Sequence, residues 1–163
     1  MAWRANVAAR LAAERPALVV MSSYRYRQTG AWAGVDANQA WRQGLDTTLT
    51  MLDPLTPSVL VLGDTPTPGQ DVPGCLSAHL GNVPACVTPR AEAVRDDRLA
   101  VEQEVAAAHG ATFVSTSDWL CSPTECPVIV GDVLVYRDAN HITATAATWL
   151  APYVLVATAP LVA

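Results

Sequence analysis

Apolar residues fall along this chain in two alternating patterns. Unbroken apolar runs occur at Ala17-Leu18-Val19-Val20-Met21, within Ser58-Val59-Leu60-Val61-Leu62-Gly63-Asp64, and at Ala111-Thr112-Phe113-Val114-Ser115. Such runs are expected of strands buried on both faces of a parallel sheet. Between them, apolar residues recur every three or four positions, as on one side of a helix. This spacing predicts a helix over 3–14 (Val7, Leu11) that stops before Pro16. It predicts a second over 36–52, with Asp36 as N-cap and Trp41, Leu45, Leu49 and Leu52 inward, ended by Pro54 and Pro57. A long charged helix is expected over 90–109, amphipathic through Val94, Leu99, Val101 and Val105, with Gly110 at its C′ position. The last runs over 142–153, with Ile142, Ala146, Trp149 and Leu150 on its apolar side. Ser117 to Leu120 reads as a helical turn, and 132–136 as a short strand near the sheet's edge or end. Residues 22–35 and 65–89 read as loops. The second is long and rich in Pro and Gly, and such loops are usually functional or stapled.

Strands alternating with helices imply an α/β fold with a mostly parallel sheet and right-handed crossovers. Residues 1–153 form one expected domain, followed by an apolar tail at 154–163. The chain has 163 residues, long enough for one domain with a core, and its 51% hydrophobic content excludes disorder of the whole chain. A net charge of −5 argues against a nucleic-acid partner. No apolar run reaches the roughly 18 residues expected of a membrane-spanning helix, so none is predicted. The first ten residues are not a signal peptide, because Arg4 and Arg10 break a short apolar stretch.

The cysteines number four and fall into two local pairs, Cys75 with Cys86 and Cys121 with Cys126. Local pairing between turn-forming residues suits two loop-stapling disulfides, although three connectivities are formally possible. A four-thiolate zinc site is the alternative, but these spacings are wider than those of zinc knuckles. Disulfides would place the domain in an oxidising, extracytoplasmic compartment.

In an α/β sheet, sites gather at the C-terminal ends of the strands. Those ends carry Ser22-Ser23-Tyr24, Gly63-Asp64-Thr65-Pro66, Ser115-Thr116-Ser117, and the turn holding Asp138 and His141. An Asp can fix an imidazole in one tautomer, and the imidazole can then take a proton from a nucleophilic hydroxyl. Plainer roles compete. Asp138 and Asn140 suit a helix start, Asp64 suits a turn, and Ser22 and Ser23 suit loop capping. His79 and His109 read as solvated. Trp3, Trp41, Trp119 and Trp149 read as core or loop anchors, Trp32 as an anchor or a candidate cleft residue, and Arg25 and Arg27 as solvated loop cations.

Four segments, taken in order, resemble a known family. They are Gly63-Asp64-Thr65-Pro66, then Asp71-Val72-Pro73-Gly74-Cys75-Leu76, then Trp119-Leu120-Cys121 with Cys126-Pro127-Val128, then Tyr136-Arg137-Asp138-Ala139-Asn140-His141-Ile142-Thr143. Together they resemble the SGNH-hydrolase-like domain at the C-terminus of acyltransferase-3 membrane proteins. The resemblance implies a three-layer α/β/α sandwich with a flavodoxin-like parallel sheet, here lacking its first strand. It implies O-acyl transfer or ester hydrolysis on a cell-envelope carbohydrate or glycolipid, with Asp138 orienting His141, His141 acting as general base and then general acid, and no metal or organic cofactor. Its implied partners are an acyl donor, a carbohydrate or glycolipid acceptor, and an upstream membrane acyltransferase domain. The implied location is the extracytoplasmic face of the membrane. The family's nucleophile is the Ser of a Gly-Asp-Ser block that this sequence does not show. Ser22, Ser23 and Thr65 are lesser candidates for a nucleophile or oxyanion region. The competing expectation is a non-catalytic envelope binding domain, or an inactive fragment of such an acyltransferase.

Overall fold

The computed structural model describes residues 2–24 and 36–162. Arg25, Arg27 and Trp32 lie outside the described residues. Trp3, expected as an anchor, is 74% exposed. In chain order the elements are α1 (Ala2–Glu14), β1 (Val19–Ser22), α2 (Ala37–Leu52), β2 (Val59–Leu62), α3 (Val72–Ala78), a 3₁₀ turn (Val83–Cys86), β3 (Thr88–Pro89) and α4 (Arg90–Ala93). Then follow α5 (Asp96–Ala108), β4 (Thr112–Val114), α6 (Ser117–Leu120), β5 (Glu125–Cys126), β6 (Ile129–Val130), β7 (Val133–Leu134), α7 (Ala144–Thr158) and a closing 3₁₀ turn (Ala159–Leu161). The chain folds as two compact units.

The first unit comprises Met1–Gly63, Asp97–Val114 and Ala157–Ala163. Its sheet is parallel throughout, in the order β1-β2-β4, with Val19 opposite Val59 and Leu60 opposite Thr112. The three apolar runs therefore pair as parallel strands, but only β2 is buried as expected: β4 is half-buried, and in β1 exposed positions alternate, with Val20 46% exposed. Val59 and Val61 of β2 pack on Leu45, Leu49 and Leu52 of α2, and on Val101, Val105 and Ala106 of α5. Leu49 is fully buried, and removing such a side chain from water contributes about 1.5–3 kcal/mol. Asp36 caps α2, its Oδ1 accepting from the amides of Asn38 at 2.8 Å and Gln39 at 3.1 Å. Gly63 is required by close approach: a Cβ there would sit 3.3 Å from Leu99 Cδ2 and 3.4 Å from the Val114 carbonyl oxygen.

The second unit comprises Asp64–Asp96 and Ser115–Val156. Val72, Cys86, Leu120, Val128, Val135, Tyr136 and Leu150 form its core. The short strand expected at 132–136 is β7, two residues long, which pairs antiparallel with β6; β3 and β5 form a second antiparallel ladder. Disulfides join Cys75 to Cys86 and Cys121 to Cys126, so none of the four sulfurs remains a thiolate for zinc. Closing loops of this length restricts the unfolded chain by about 2–3 kcal/mol each.

Three elements depart from their periodicity. The helix expected over 90–109 is two helices. The Ala93 carbonyl accepts the Thr67 amide at 2.9 Å, Val94 turns extended, and the helix restarts at Asp96. The loop expected over 65–89 contains α3, because Asp71 caps it through the Gly74 amide at 2.9 Å. The last helix begins only at Ala144, since Ile142 bridges Tyr136 instead, and it continues through Pro152 to Thr158. With its closing 3₁₀ turn it forms an 18-residue apolar segment, Ala144–Leu161, of mean hydropathy 1.3. By length and composition alone that is enough to cross a membrane, although Thr residues interrupt it, so that it is no unbroken apolar run. Its Ala146 and Leu150, however, are buried in the second unit.

His109 also departs from expectation. Its side chain is only 12% exposed and is held between two acids of the first unit, Asp46 at 3.0 Å from Nε2 and Asp53 at 3.0 Å from Nδ1. These bonds favour the imidazolium and raise its pKa, the Asp46 hydrogen bond contributing most. A pKa raised on folding contributes stability that is complete below the unfolded value and is lost as pH rises through the folded one. His109→Asn should therefore lower the urea midpoint at pH 5.5 and change it little at pH 9. An equal loss at both pH values would show that the ion pairs are not its source.

Candidate active site

The turn after β7 is built by backbone pairing. Tyr136 bridges Ile142 in antiparallel fashion, the Arg137 amide donates to the His141 carbonyl at 2.9 Å, and the Thr143 amide donates to the Val135 carbonyl at 2.8 Å. Thr143 then starts α7, its Oγ1 accepting from the Ala146 amide at 2.9 Å. The same hydroxyl donates to the Leu134 carbonyl at 2.7 Å. Residues 137–141 thus form a closed loop with fixed ends.

Asp138 lies inside this loop and organises it. Its Oδ1 accepts from the Asn140 amide at 2.9 Å and the His141 amide at 2.8 Å. Its Oδ2 lies 2.8 Å from His141 Nδ1. The two backbone amides, Asn140 first, hold the Asp138 carboxyl down to about 2, with the imidazole adding to them. Above that pH the carboxylate has no proton to give, so Nδ1 must donate. The other ring nitrogen, Nε2, then carries the lone pair of the neutral imidazole. Both side chains reach solvent, His141 at 60% and Asp138 at 39% exposure. Arg137 Nε stands 3.6 Å from Asp138 Oδ2 and adds a positive charge at the same carboxylate. Such a unit can accept a proton at Nε2 and stabilise the resulting cation at Nδ1.

The remaining predicted residues fall in different surroundings. Thr65 belongs to the second unit, where its amide donates to Asp64 Oδ1 at 2.9 Å, and Asp64 thereby shapes the turn. Among the described residues no serine or threonine hydroxyl bonds to the His141 ring. Ser22 and Ser23 belong to the first unit and line a cavity of about 280 Å³ with Met21, Trp41, Leu45 and Glu102. Neither hydroxyl has a hydrogen-bond partner among the described residues. Trp41 anchors that cavity: its Nε1 donates to Glu102 at 3.0 Å, and the Arg98 guanidinium lies 4.4 Å from its ring centre. Arg98 and Glu102, at 6% and 3% exposure, carry no sequence signal beyond two charges four apart on a helix. Tyr136 and Thr143 were legible only as parts of a motif, not as anchors. No group of three or more His, Cys, Asp or Glu able to hold a metal exists among the described residues.

The SGNH domain that occurs fused to AT3 domains matches residues 1–155 of this chain. The chain belongs to that family. No curated protein matches it in sequence. Among solved structures, it is similar to the periplasmic domain of the lipopolysaccharide acetyltransferase of Salmonella ser. Paratyphi A, with a TM-score of 0.68 and 16% identity. That match covers 90% of this chain and 58% of the other, and it shows a common fold. The α/β fold with a parallel sheet is thus that of an SGNH domain associated with acyltransferases.

In this SGNH domain, backbone amides rather than the imidazole are the main cause of the low Asp138 pKa. His141→Ala should accordingly leave the Asp138 midpoint, followed by carboxyl carbon NMR, well below its ordinary 3.8. A return to 3.8 would contradict that origin. Because folding lowers this pKa, the stability it contributes is present above the unfolded value and is lost as pH falls towards 2.

Proposed function

We propose that this chain supplies the Asp and His of a Ser-His-Asp acyl-transfer site. The site would belong to an O-acyltransferase or esterase acting on a cell-envelope carbohydrate or glycolipid. The observation that carries this reading is the Asp138–His141 pair, with Nδ1 2.8 Å from the carboxylate and the His141 side chain 60% exposed. Membership of a family fused to AT3 domains supports acyl transfer over other uses of an Asp–His pair. The two disulfides support an extracytoplasmic position beside a membrane acyltransferase domain, which would deliver the acyl group.

The chemistry follows from the geometry. Nε2 of His141 takes the proton of a serine hydroxyl as its oxygen adds to the acyl carbonyl of the donor. The imidazolium formed is stabilised by the Asp138 carboxylate. It returns the proton to the leaving group as the tetrahedral intermediate collapses to an acyl-serine. A sugar hydroxyl, or water, then gives its proton to Nε2 as its oxygen adds to the acyl carbon, and the imidazolium returns that proton to the departing serine oxygen, completing transfer or hydrolysis with the serine and the neutral imidazole restored. Asp138 stays ionised throughout and orients the ring. The serine would come from a Gly-Asp-Ser segment of the longer protein, with Ser22, Ser23 and Thr65 as lesser candidates.

A second reading, a non-catalytic envelope binding domain, is favoured by one observation: no hydroxyl bonds to His141 among the described residues. Hydrolysis of p-nitrophenyl acetate separates the two. The chain should turn over little by itself. A protein that carries it together with a Gly-Asp-Ser segment should be active, and should lose about 10²–10⁴-fold with His141→Ala. Activity unchanged by His141→Ala in that longer protein would reject the catalytic reading.

A further inference from the structure

Exposed ion pairs between flexible side chains contribute little and hold no fixed geometry by themselves. Asp138 and His141 are such a pair by exposure, yet acid–base chemistry needs their geometry fixed. The source of the rigidity must therefore lie beneath them. Asp138 follows Tyr136 by two residues, and Tyr136 is the largest fully buried side chain among the described residues. Its ring packs in the core of the second unit with Val72, Val128 and Val135. Its hydroxyl crosses to the segment that follows β2 and donates to the Pro66 carbonyl at 2.7 Å. That segment is itself tied down: the Thr116 hydroxyl donates to the Asp64 carbonyl at 2.7 Å, and the Thr67 amide donates to the Ala93 carbonyl at 2.9 Å.

We infer that Tyr136 is a positioning residue for the Asp138–His141 pair, its buried hydroxyl anchoring through Pro66 the turn that aims both side chains. The ring alone fills volume, and Phe would fill it equally. The hydroxyl adds direction. It fixes one end of the antiparallel bridge between Tyr136 and Ile142, and the amides of Asn140 and His141 that grip Asp138 lie between those two residues. Removing the hydroxyl leaves a buried carbonyl without this donor and frees that end of the turn to shift. The inference builds on the catalytic reading for its consequence. Its test reads geometry in the chain itself, so it stands or falls apart from whether activity is found.

The test compares Tyr136→Phe with Thr88→Val. Thr88 makes a matching buried bond, from its hydroxyl to the Pro68 carbonyl at 2.7 Å, elsewhere in the second unit. Both variants lose one buried hydroxyl–carbonyl bond, so both should lower stability alike. Nitrogen NMR of the imidazole and carboxyl carbon NMR then read the pair. In Tyr136→Phe, the neutral His141 ring should shift away from the Nδ1-protonated tautomer, and the Asp138 midpoint should rise from about 2 towards 3.8. In Thr88→Val both should stay as in the parent chain. An unchanged tautomer and midpoint in Tyr136→Phe, or equal changes in both variants, would overturn the inference. Should the Phe variant not fold, amide exchange in the parent chain decides. The Arg137 and Thr143 amides should exchange as slowly as those of core residues, and exchange at the rate of an open loop would overturn it.

Discussion

One carboxylate oxygen, Oδ1 of Asp138, organises the turn between β7 and α7. It accepts the amides of Asn140 and His141 in a loop that would otherwise leave those donors to water. That grip has two consequences. The loop takes one conformation, and the carboxyl stays ionised well below the usual carboxylate range. Only an ionised carboxylate can oblige Nδ1 of His141 to donate, and only then is Nε2 left as a base. Backbone conformation, protonation state and chemical capacity are therefore one property seen at three levels.

The loop in turn depends on its supports. Its ends are joined by the Arg137 and Thr143 amides, its floor is the buried Tyr136, and its exit is the Thr143 cap of α7. The disulfides work at a coarser scale. Cys86 and Cys126 are buried in the second unit, where, α7 apart, the ladders are short and the helices brief. A unit so poor in regular structure gains from covalent closure, since each closed loop removes conformations from the unfolded chain.

Much of this was legible in the sequence. The three parallel strands were visible as apolar runs, although only β2 is buried on both faces, and Asp36 was visible as a cap because a carboxylate there can accept two amides. Asp138 and His141 were visible because three residues of separation place them on one turn. The rest was hidden for physical reasons. The break at Val94 follows from the Thr67 amide taking the Ala93 carbonyl, a contact between distant residues that no local pattern encodes. The late start of α7 follows from Ile142 pairing across the loop. His109 looked like a solvated helix end because its two acids, Asp46 and Asp53, lie more than fifty positions away. Tyr136 announced a strand but not the strut to Pro66, because a tyrosine hydroxyl's partner is set by the tertiary fold alone.

The central claim is that His141, oriented by Asp138, serves as the base for a serine nucleophile. Fluorophosphonate labelling of a protein that carries this domain together with a Gly-Asp-Ser segment, followed by peptide mass mapping, tests it most directly. The account predicts one labelled serine whose labelling is lost with His141→Ala and reduced with Asp138→Asn. Labelling that survives His141→Ala, or acyl transfer by a protein in which no serine is labelled, would contradict it.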